Sequence, residues 1–315
     1  ECFIVERKLR ERMNIPVFHD DQHGTAIIVG AAILNALEVA GKKIEDVRLA
    51  TAGAGAAGIA CLDMLVALGL KAENILAFDR EGVLYTGRGQ MDPDKARYAR
   101  DTAKRTLAEI VDGADIFLGL SAGGVLAPAM VATMAPTPII LALANPYPEI
   151  LPEHAKAVRP DCIIATGRSD YPNQVNNALC FPYIFRGALD VGAQEINEAM
   201  KLACVRAIAA LARKEASDLG SAYGGEVPKF GREYLIPRPF DPRLLTMLAP
   251  CVAQAAMDSG IAERPIADIA AYKEKLGQFI HRTSLMMKPV YERARSERKR
   301  VAYAEGEEYV VLQAV

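Results

Sequence analysis

Apolar and polar segments alternate along the first two thirds of the chain, and this alternation predicts strands separated by helices. Five short apolar runs predict buried strands, near Val47–Ala52, Asn74–Phe78, Ile116–Gly119, Ile139–Leu143 and Cys162–Ala165. Helical stretches lie before and between several of them, including Thr25–Ala40, which ends at Gly41, and Ile59–Leu68. Strands that are apolar throughout and alternate with helices are typical of a parallel sheet covered on both faces.

The pattern changes at about residue 194, after which only helical periodicity remains. The helical stretches are Ile196–Ala216, Pro242–Ser259 and Ile266–Arg298, and a Gly- and Pro-rich segment, Gly220–Pro239, links the first two. We therefore expect an α/β fold, a doubly wound parallel sheet followed by an all-helical C-terminal segment.

The first predicted strand runs directly into the sequence Gly53-Ala54-Gly55-Ala56-Ala57-Gly58, which has the form G-x-G-x-x-G. A helix follows, and Asp79 ends the next strand about 20 residues beyond the last glycine, as in the strand–turn–helix–strand unit of a dinucleotide site. The glycines would allow a tight turn, close approach of a pyrophosphate and close helix packing. The sequence thus predicts a Rossmann-type dinucleotide-binding domain over residues 46–192.

Polar or small residues follow the other strands as well: Ser121-Ala122 after the third, Asn145-Pro146 after the fourth and Thr166–Asp170 after the fifth. Ligands of open α/β sheets bind outside the carboxyl ends of the strands. This edge of the sheet is therefore the expected binding site.

Asp20-Asp21 is a second candidate site. In an extended segment the two carboxylates point to opposite sides, so one can reach a hard cation such as Mg²⁺ or Mn²⁺. The alternative is that an aspartate caps the helix beginning near Thr25. His19 and His23 have a spacing that would suit zinc on a helix, but the H-E-x-x-H pattern is missing, which favours structural or substrate-adjacent polar roles.

Asparagines mark two further positions. Asn145 precedes a proline and could hydrogen-bond a carboxylate or carboxamide, or simply form an Asn-Pro turn. The segment Asn173–Asn177 opens a helix, and its three asparagines, which include Asn176, exceed what capping needs, so an anionic substrate group is an alternative to a plain cap.

Composition narrows the function. The chain has 315 residues, is 51% hydrophobic and carries a formal net charge of −2, which gives no reason to expect nucleic acid or an anionic membrane. We find no signal peptide and no apolar run of the ~18 residues that a membrane span requires. Six cysteines without a C-x-x-C pair indicate free thiols in a reducing cytoplasm.

The chain resembles the bacterial malic enzymes, in particular the large form fused to a phosphotransacetylase-like domain. The stretches that carry the resemblance are Ile15–Thr25, Gly53–Gly58, Leu118–Gly124, Asn145-Pro146 and Gly167–Asn177. It implies that residues 1–45 end the substrate and metal region and that residues 193–298 are the C-terminal helices. Residues 299–315 look like the opening strand of the fused domain.

The resemblance implies oxidative decarboxylation of (S)-malate to pyruvate and CO₂, with reduction of NADP or NAD and with Mg²⁺ or Mn²⁺ as Lewis acid. Asp21 would be a metal ligand, Asp20 a catalytic residue beside the catalytic lysine, and Asn145 and Asn177 would bind substrate. The residues implied to bind the cofactor are Gly53, Ala54, Gly55, Ala56, Ala57, Gly58, Asp79, Arg80, Ser121, Ala122, Asn145 and Asn176. A homo-oligomer, a dimer or higher, is expected.

The family's general-acid tyrosine, general-base lysine and a Glu-Asp metal pair belong to a preceding region, and no residue here matches them. The chain is therefore expected to be the cofactor half of an active site. Two alternatives remain: a metal-independent amino-acid or 2-hydroxy-acid dehydrogenase, and a dinucleotide-sensing module that regulates a fused acyltransferase. Asp79 favours NAD, whereas Arg80 beside it could meet the 2′-phosphate of NADP.

Overall fold

The computed structural model describes residues 2–214, 228–239 and 241–279, and a six-stranded sheet with strand order β3-β2-β1-β4-β5-β6 forms its centre. The strands are β1 (Leu49–Ala52), β2 (Ile75–Asp79), β3 (Gly82–Val83), β4 (Ile116–Gly119), β5 (Ile139–Ala142) and β6 (Ile163–Thr166). All pairs are parallel except β2–β3, which is antiparallel at the edge. The five predicted strands are confirmed, and β3 is an addition.

The helices are α1 (Cys2–Arg12), α2 (Thr25–Ala40), α3 (Ala56–Ala67), α4 (Pro93–Ala96), α5 (Leu107–Val111), α6 (Pro128–Ala132), α7 (Pro152–Val158), α8 (Phe181–Asp190), α9 (Glu198–Arg213) and α10 (Arg243–Asp258). Residues 269–279 are also helical. The helix over Thr25–Ala40 has the predicted bounds, and Gly41 ends it in the left-handed conformation, with a φ of 67°.

Alternate residues of each strand enter two separate cores. Ile116 and Leu118 of β4 pack with α2, α3 and the C-terminal helices, whereas Phe117 packs with α5, α6 and α7. A sheet buried on both faces needs strands that are apolar at every position, which explains why these strands were recognisable. The doubly wound sheet is therefore confirmed.

One helix contradicts the expectation that no segment is long and apolar enough to span a membrane. Residues 20–40, which comprise a turn and α2, meet that criterion by length and composition, with 67% of the most apolar window buried. The helix packs between α3 and α9 against the sheet. A core helix can be equally long and apolar, and the burial of α2 is that of a core helix.

The C-terminal segment is helical as predicted, and α2 is tied to it. The buried Asn35 amide donates to the carbonyl oxygens of Ala209 in α9, at 3.0 Å, and of Leu235, at 2.7 Å. The predicted helix over Ile266–Arg298 is described only to residue 279. The predicted start of a further domain, residues 299–315, lies outside the described residues, as do residues 215–227 of the linker.

Candidate active site

The glycine loop joins the carboxyl end of β1 to α3, and a side chain would have a different steric consequence at each of its three glycines. Gly53 has a φ of 113°, and a Cβ there would clash with the Leu120 carbonyl oxygen. A Cβ on Gly58 would clash with the Gly53 carbonyl oxygen, so Gly58 lets α3 pack closely. A Cβ on Gly55 would meet nothing within 4 Å, so the space before the helix N-terminus is open to a ligand.

A cavity of about 560 Å³ lies where the strand order reverses between β1 and β4. It is lined by Ala52–Gly55, Phe78–Glu81, Lys95, Leu120–Ala122 and Val125. Most residues predicted to bind a cofactor thus share one cavity, at the place where open sheets bind ligands. Ala56, Ala57 and Gly58 instead form the first turn of α3 behind it.

Asp79 is surrounded by cations that the sequence did not point to. Arg88 donates to both of its carboxylate oxygens, at 2.8 and 2.9 Å, and the Lys95 ammonium lies 2.8 Å from Oδ2. Burial would raise the pKa of Asp79, but the hydrogen bonds from Arg88 and Lys95 outweigh it and hold that pKa well below its usual range. The exposed Arg80 lies beside it, so three cations, Arg80, Arg88 and Lys95, face two carboxylates, Asp79 and Glu81, and this part of the cavity carries one excess positive charge.

The residues after β4 and β5 meet on a buried carboxylate, Glu149. Its oxygens accept the backbone N–H groups of Ser121, at 2.9 Å, and Ala144, at 3.0 Å. Burial raises the pKa of Glu149. Asn145, which follows Ala144 directly, is exposed. Its side-chain amide lies against Gly167 after β6, because a Cβ on Gly167 would be 3.0 Å from Asn145 Nδ2.

Asp20 and Asp21 begin a π-helical turn, Asp20–Gly24, that leads into α2, so the predicted extended conformation is wrong. The His19 ring accepts from the Gln22 N–H at 3.3 Å and caps that turn. The helix α2 follows Gly24 without a side-chain cap, so the alternative of an aspartate that caps it is also wrong. Asp21 is exposed. Asp20 is partly buried, which raises its pKa with a further contribution from Asp21, and its Oδ1 is buried without a hydrogen-bond partner.

The orphaned Asp20 oxygen fits a proton donor or a cation. Within the ranges 2–214, 228–239 and 241–279, no group of three His, Cys, Asp or Glu side chains could hold a metal ion. The described residues alone therefore do not form a metal site, and the role of Asp21 as a metal ligand stays a prediction.

His23 has a different set of partners. Its Nε2 lies 2.7 Å from Glu6 of α1, and Lys201 of α9 lies 3.2 Å from Nδ1. These contacts border a second cavity, of about 860 Å³, between α1, α3 and α9. Because both histidine rings have protein partners, the structure favours polar structural roles over the zinc alternative.

The asparagines that precede α8 separate into different roles. Asn177 donates to the Asp20 carbonyl at 3.3 Å and accepts from the Thr25 hydroxyl at 3.2 Å, so it lies beside the aspartates. Asn176 caps the short 3₁₀ turn that follows it, through the Ala178 N–H. The buried Asn173 has a φ of 57°, and its Oδ1 accepts the Leu235 N–H at 2.8 Å. The interpretation of the three asparagines as substrate-binding residues is therefore wrong for Asn173.

The two candidate sites are neighbours through α3. The glycine loop begins this helix, and the Asp20–Gly24 turn packs against it. The fold thus places the 560 Å³ cavity and the two aspartates, of which Asp20 is partly buried and Asp21 exposed, on the same helix. Arg88, Lys95 and Glu149 are the site residues that sequence reasoning missed.

Comparison with known proteins agrees with this geometry. Residues 22–225 match the family model "Malic enzyme, NAD binding domain". All of the chain aligns with the NADP-dependent malic enzyme of Salmonella typhimurium at 63% identity and with an NAD-dependent malic enzyme of Rhizobium meliloti at 60%. The chain covers only 42% and 41% of those two proteins.

A solved structure with the same fold is the malic enzyme of Pyrococcus horikoshii, which is 37% identical with a TM-score of 0.78. The match covers 94% of this chain and 67% of that one. The family model covers well over half of the residues, and the arrangement of the sheet and the glycine loop agrees with it. The chain therefore belongs to the malic enzyme family, and residues 22–225 match its NAD-binding domain.

Proposed function

We propose that the intact protein catalyses the oxidative decarboxylation of (S)-malate to pyruvate and CO₂, with reduction of a nicotinamide dinucleotide. The observation that carries this proposal is the shared helix α3, which has the open glycine loop at its start and the Asp20–Gly24 turn on its side. A dehydrogenase without a metal would not need a carboxylate pair there. The relatives at 60% and 63% identity are NAD- and NADP-dependent malic enzymes, which supports the same activity.

The dinucleotide would lie across the 560 Å³ cavity, with its pyrophosphate on the free N–H groups at the start of α3. The adenosine ribose would lie beside Asp79. Because Asp79 is already neutralised by Arg88 and Lys95, we propose NADP rather than NAD as the preferred cofactor. The positive charge there suits a 2′-phosphate better than a ribose hydroxyl.

Substrate binding would fall to Asn145 and Asn177, whose amides can hydrogen-bond a carboxylate. Asp21 would bind Mg²⁺ or Mn²⁺, and this ion would act as a Lewis acid toward the substrate oxygens. Asp20 would accept a hydrogen bond from the catalytic lysine that the family resemblance implies, since its Oδ1 is buried and unpartnered. The chain then contributes the cofactor half of the site.

Three features of the whole protein are part of the proposal. Fusion to a phosphotransacetylase-like domain is supported by the resemblance of residues 299–315 and by relatives more than twice as long as the match. A cytoplasmic location is supported by the six cysteines, all of which are free thiols. A dimer or higher oligomer is supported by the family resemblance alone.

The test is the absorbance of reduced dinucleotide formed by the intact protein with malate, first with Mn²⁺ and then with a chelator. The proposal predicts turnover that requires both malate and metal. Metal-independent turnover would indicate a dehydrogenase of the 2-hydroxy-acid or amino-acid type. Dinucleotide binding without any turnover would indicate a sensing module.

A further inference from the structure

The loops that follow β4 and β5 form one unit beside the cofactor cavity. The Gly124 N–H donates to the Pro148 carbonyl oxygen at 3.0 Å, and the Leu126 N–H donates to the Glu149 carbonyl oxygen at 3.0 Å. A Cβ on Gly123 would lie 2.8 Å from Tyr147, so the two backbones are in close contact. Movement of one loop would therefore carry the other with it.

The Glu149 side chain joins these loops at the strand ends themselves. It is 0% exposed, and its two oxygens each accept one backbone N–H, from Ser121 and from Ala144. In the described part of the chain no arginine, lysine or histidine forms an ion pair with it. A buried carboxylate without a cation is costly unless its hydrogen bonds are all made, so this arrangement demands a specific reason.

Gly119, the last residue of β4, makes room for that carboxylate. A Cβ on Gly119 would lie within 2.7 Å of both Glu149 oxygens. The φ of Gly119 is not in the left-handed region, so its lack of a side chain is required by Glu149 and not by the backbone. Gly119 and Glu149 therefore act as a pair.

Ser121, Ala122 and Val125 of the first loop line the cavity on the side away from Asp79, and the second loop packs against that loop. The adenosine side lies at β2, and β1 lies between β2 and β4, so a dinucleotide that crosses the glycine loop has its nicotinamide half near β4 and β5. We propose that Glu149 is a positioning residue that fixes the Ser121 and Asn145 loops to receive the nicotinamide half. This inference rests on the proposed dinucleotide binding.

The test compares NADP⁺ with adenosine 2′,5′-bisphosphate, which lacks the nicotinamide half, by isothermal titration of the intact protein. In Glu149→Gln one acceptor oxygen is replaced by an NH₂ group that faces a backbone N–H. We expect binding of NADP⁺ to weaken about tenfold, since each factor of ten corresponds to ~1.4 kcal/mol, while the bisphosphate binds as in wild type. Gly119→Ala should act in the same way, and the double variant should be no worse than either single one.

Asp161→Asn is the control for loss of a carboxylate that accepts a backbone N–H, because Asp161 accepts the Thr137 N–H at 2.7 Å and ion-pairs with Arg159 at the amino end of β6. It should leave both affinities unchanged. Equal NADP⁺ affinity in wild type and Glu149→Gln, or equal weakening of both ligands, would overturn the inference. So would failure of Glu149→Gln and Gly119→Ala to fold while Asp161→Asn folds. A wild-type protein that binds neither NADP⁺ nor NAD⁺ would overturn the proposed function itself.

Discussion

Replacing Lys95 by glutamine tests how the cavity distinguishes the two cofactors. The Lys95 ammonium lies 2.8 Å from Asp79 Oδ2, and its side chain is 29% exposed at the edge of the cavity. The variant removes one positive charge and leaves Asp79 paired with Arg88 alone. A 2′-phosphate, which carries about −1.5 to −2 charges at neutral pH, would lose an attraction that a ribose hydroxyl does not have.

The magnitude follows from Coulomb's law. Two unit charges about 5 Å apart interact by roughly 3 kcal/mol at an effective dielectric constant of about 20. Solvent screening at this partly exposed side chain reduces the loss to about 1.5–2 kcal/mol. The Kd for NADP⁺ should therefore rise about tenfold or somewhat more, whereas that for NAD⁺ should change little.

Isothermal titration with each dinucleotide gives both values, and kcat/KM with each cofactor gives a second measure of the ratio. Lys42→Gln is the control, because Lys42 forms a similar ion pair with Asp115, at 2.7 Å, away from the cavity. An unchanged ratio of NADP⁺ to NAD⁺ affinity in Lys95→Gln, including equal weakening of both, would show that Lys95 does not favour the 2′-phosphate.

Three further predictions concern the glycine loop, the aspartate pair and Asp79. Gly55→Val should weaken dinucleotide binding at least about tenfold and leave the unfolding midpoint nearly unchanged, because its side chain enters open space; unaltered binding in a titration would exclude the loop from the site. Asp21→Ala should abolish metal-dependent turnover and weaken Mn²⁺ binding but spare dinucleotide affinity, and unchanged Mn²⁺ affinity would show that Asp21 is not a ligand. Asp79 has a lowered pKa, so its stabilising contribution is present above the unfolded pKa of about 4 and is lost as the pH falls through the folded value. Urea unfolding should therefore find Asp79→Asn less stable than wild type at pH 7 by about 1–3 kcal/mol. This difference in unfolding free energy should shrink below about pH 4. A difference that stays constant with pH would show that the ion pairs of Asp79 do not stabilise the fold.

Local patterns predicted most of the sheet. The five parallel strands are apolar at all positions except Thr51, Asp79 and Thr166, because both faces are covered. The spacing of Gly53, Gly55 and Gly58 is set by the turn and by the helix packing that they allow. These features depend on short stretches of chain, so the sequence alone was sufficient for them.

The rest of the site depends on contacts between distant segments. Arg88 and Lys95 return to Asp79 only because the short strand β3 reverses the chain, and a two-residue strand has no recognisable periodicity. Glu149 follows an Asn-Pro turn and resembles any surface acid in the sequence, although it is fully buried. The sequence places Asn173 with Asn176 and Asn177 as a candidate substrate-binding residue, but its left-handed backbone turns its side chain toward the 228–239 segment.

The proposed function makes this chain the cofactor half of a site that couples oxidation of malate to loss of CO₂. Its most direct test is the molar ratio of CO₂ to reduced dinucleotide that the intact protein releases from (S)-malate in the presence of Mn²⁺. We expect one CO₂ for each dinucleotide reduced. Reduced dinucleotide without CO₂ would contradict it.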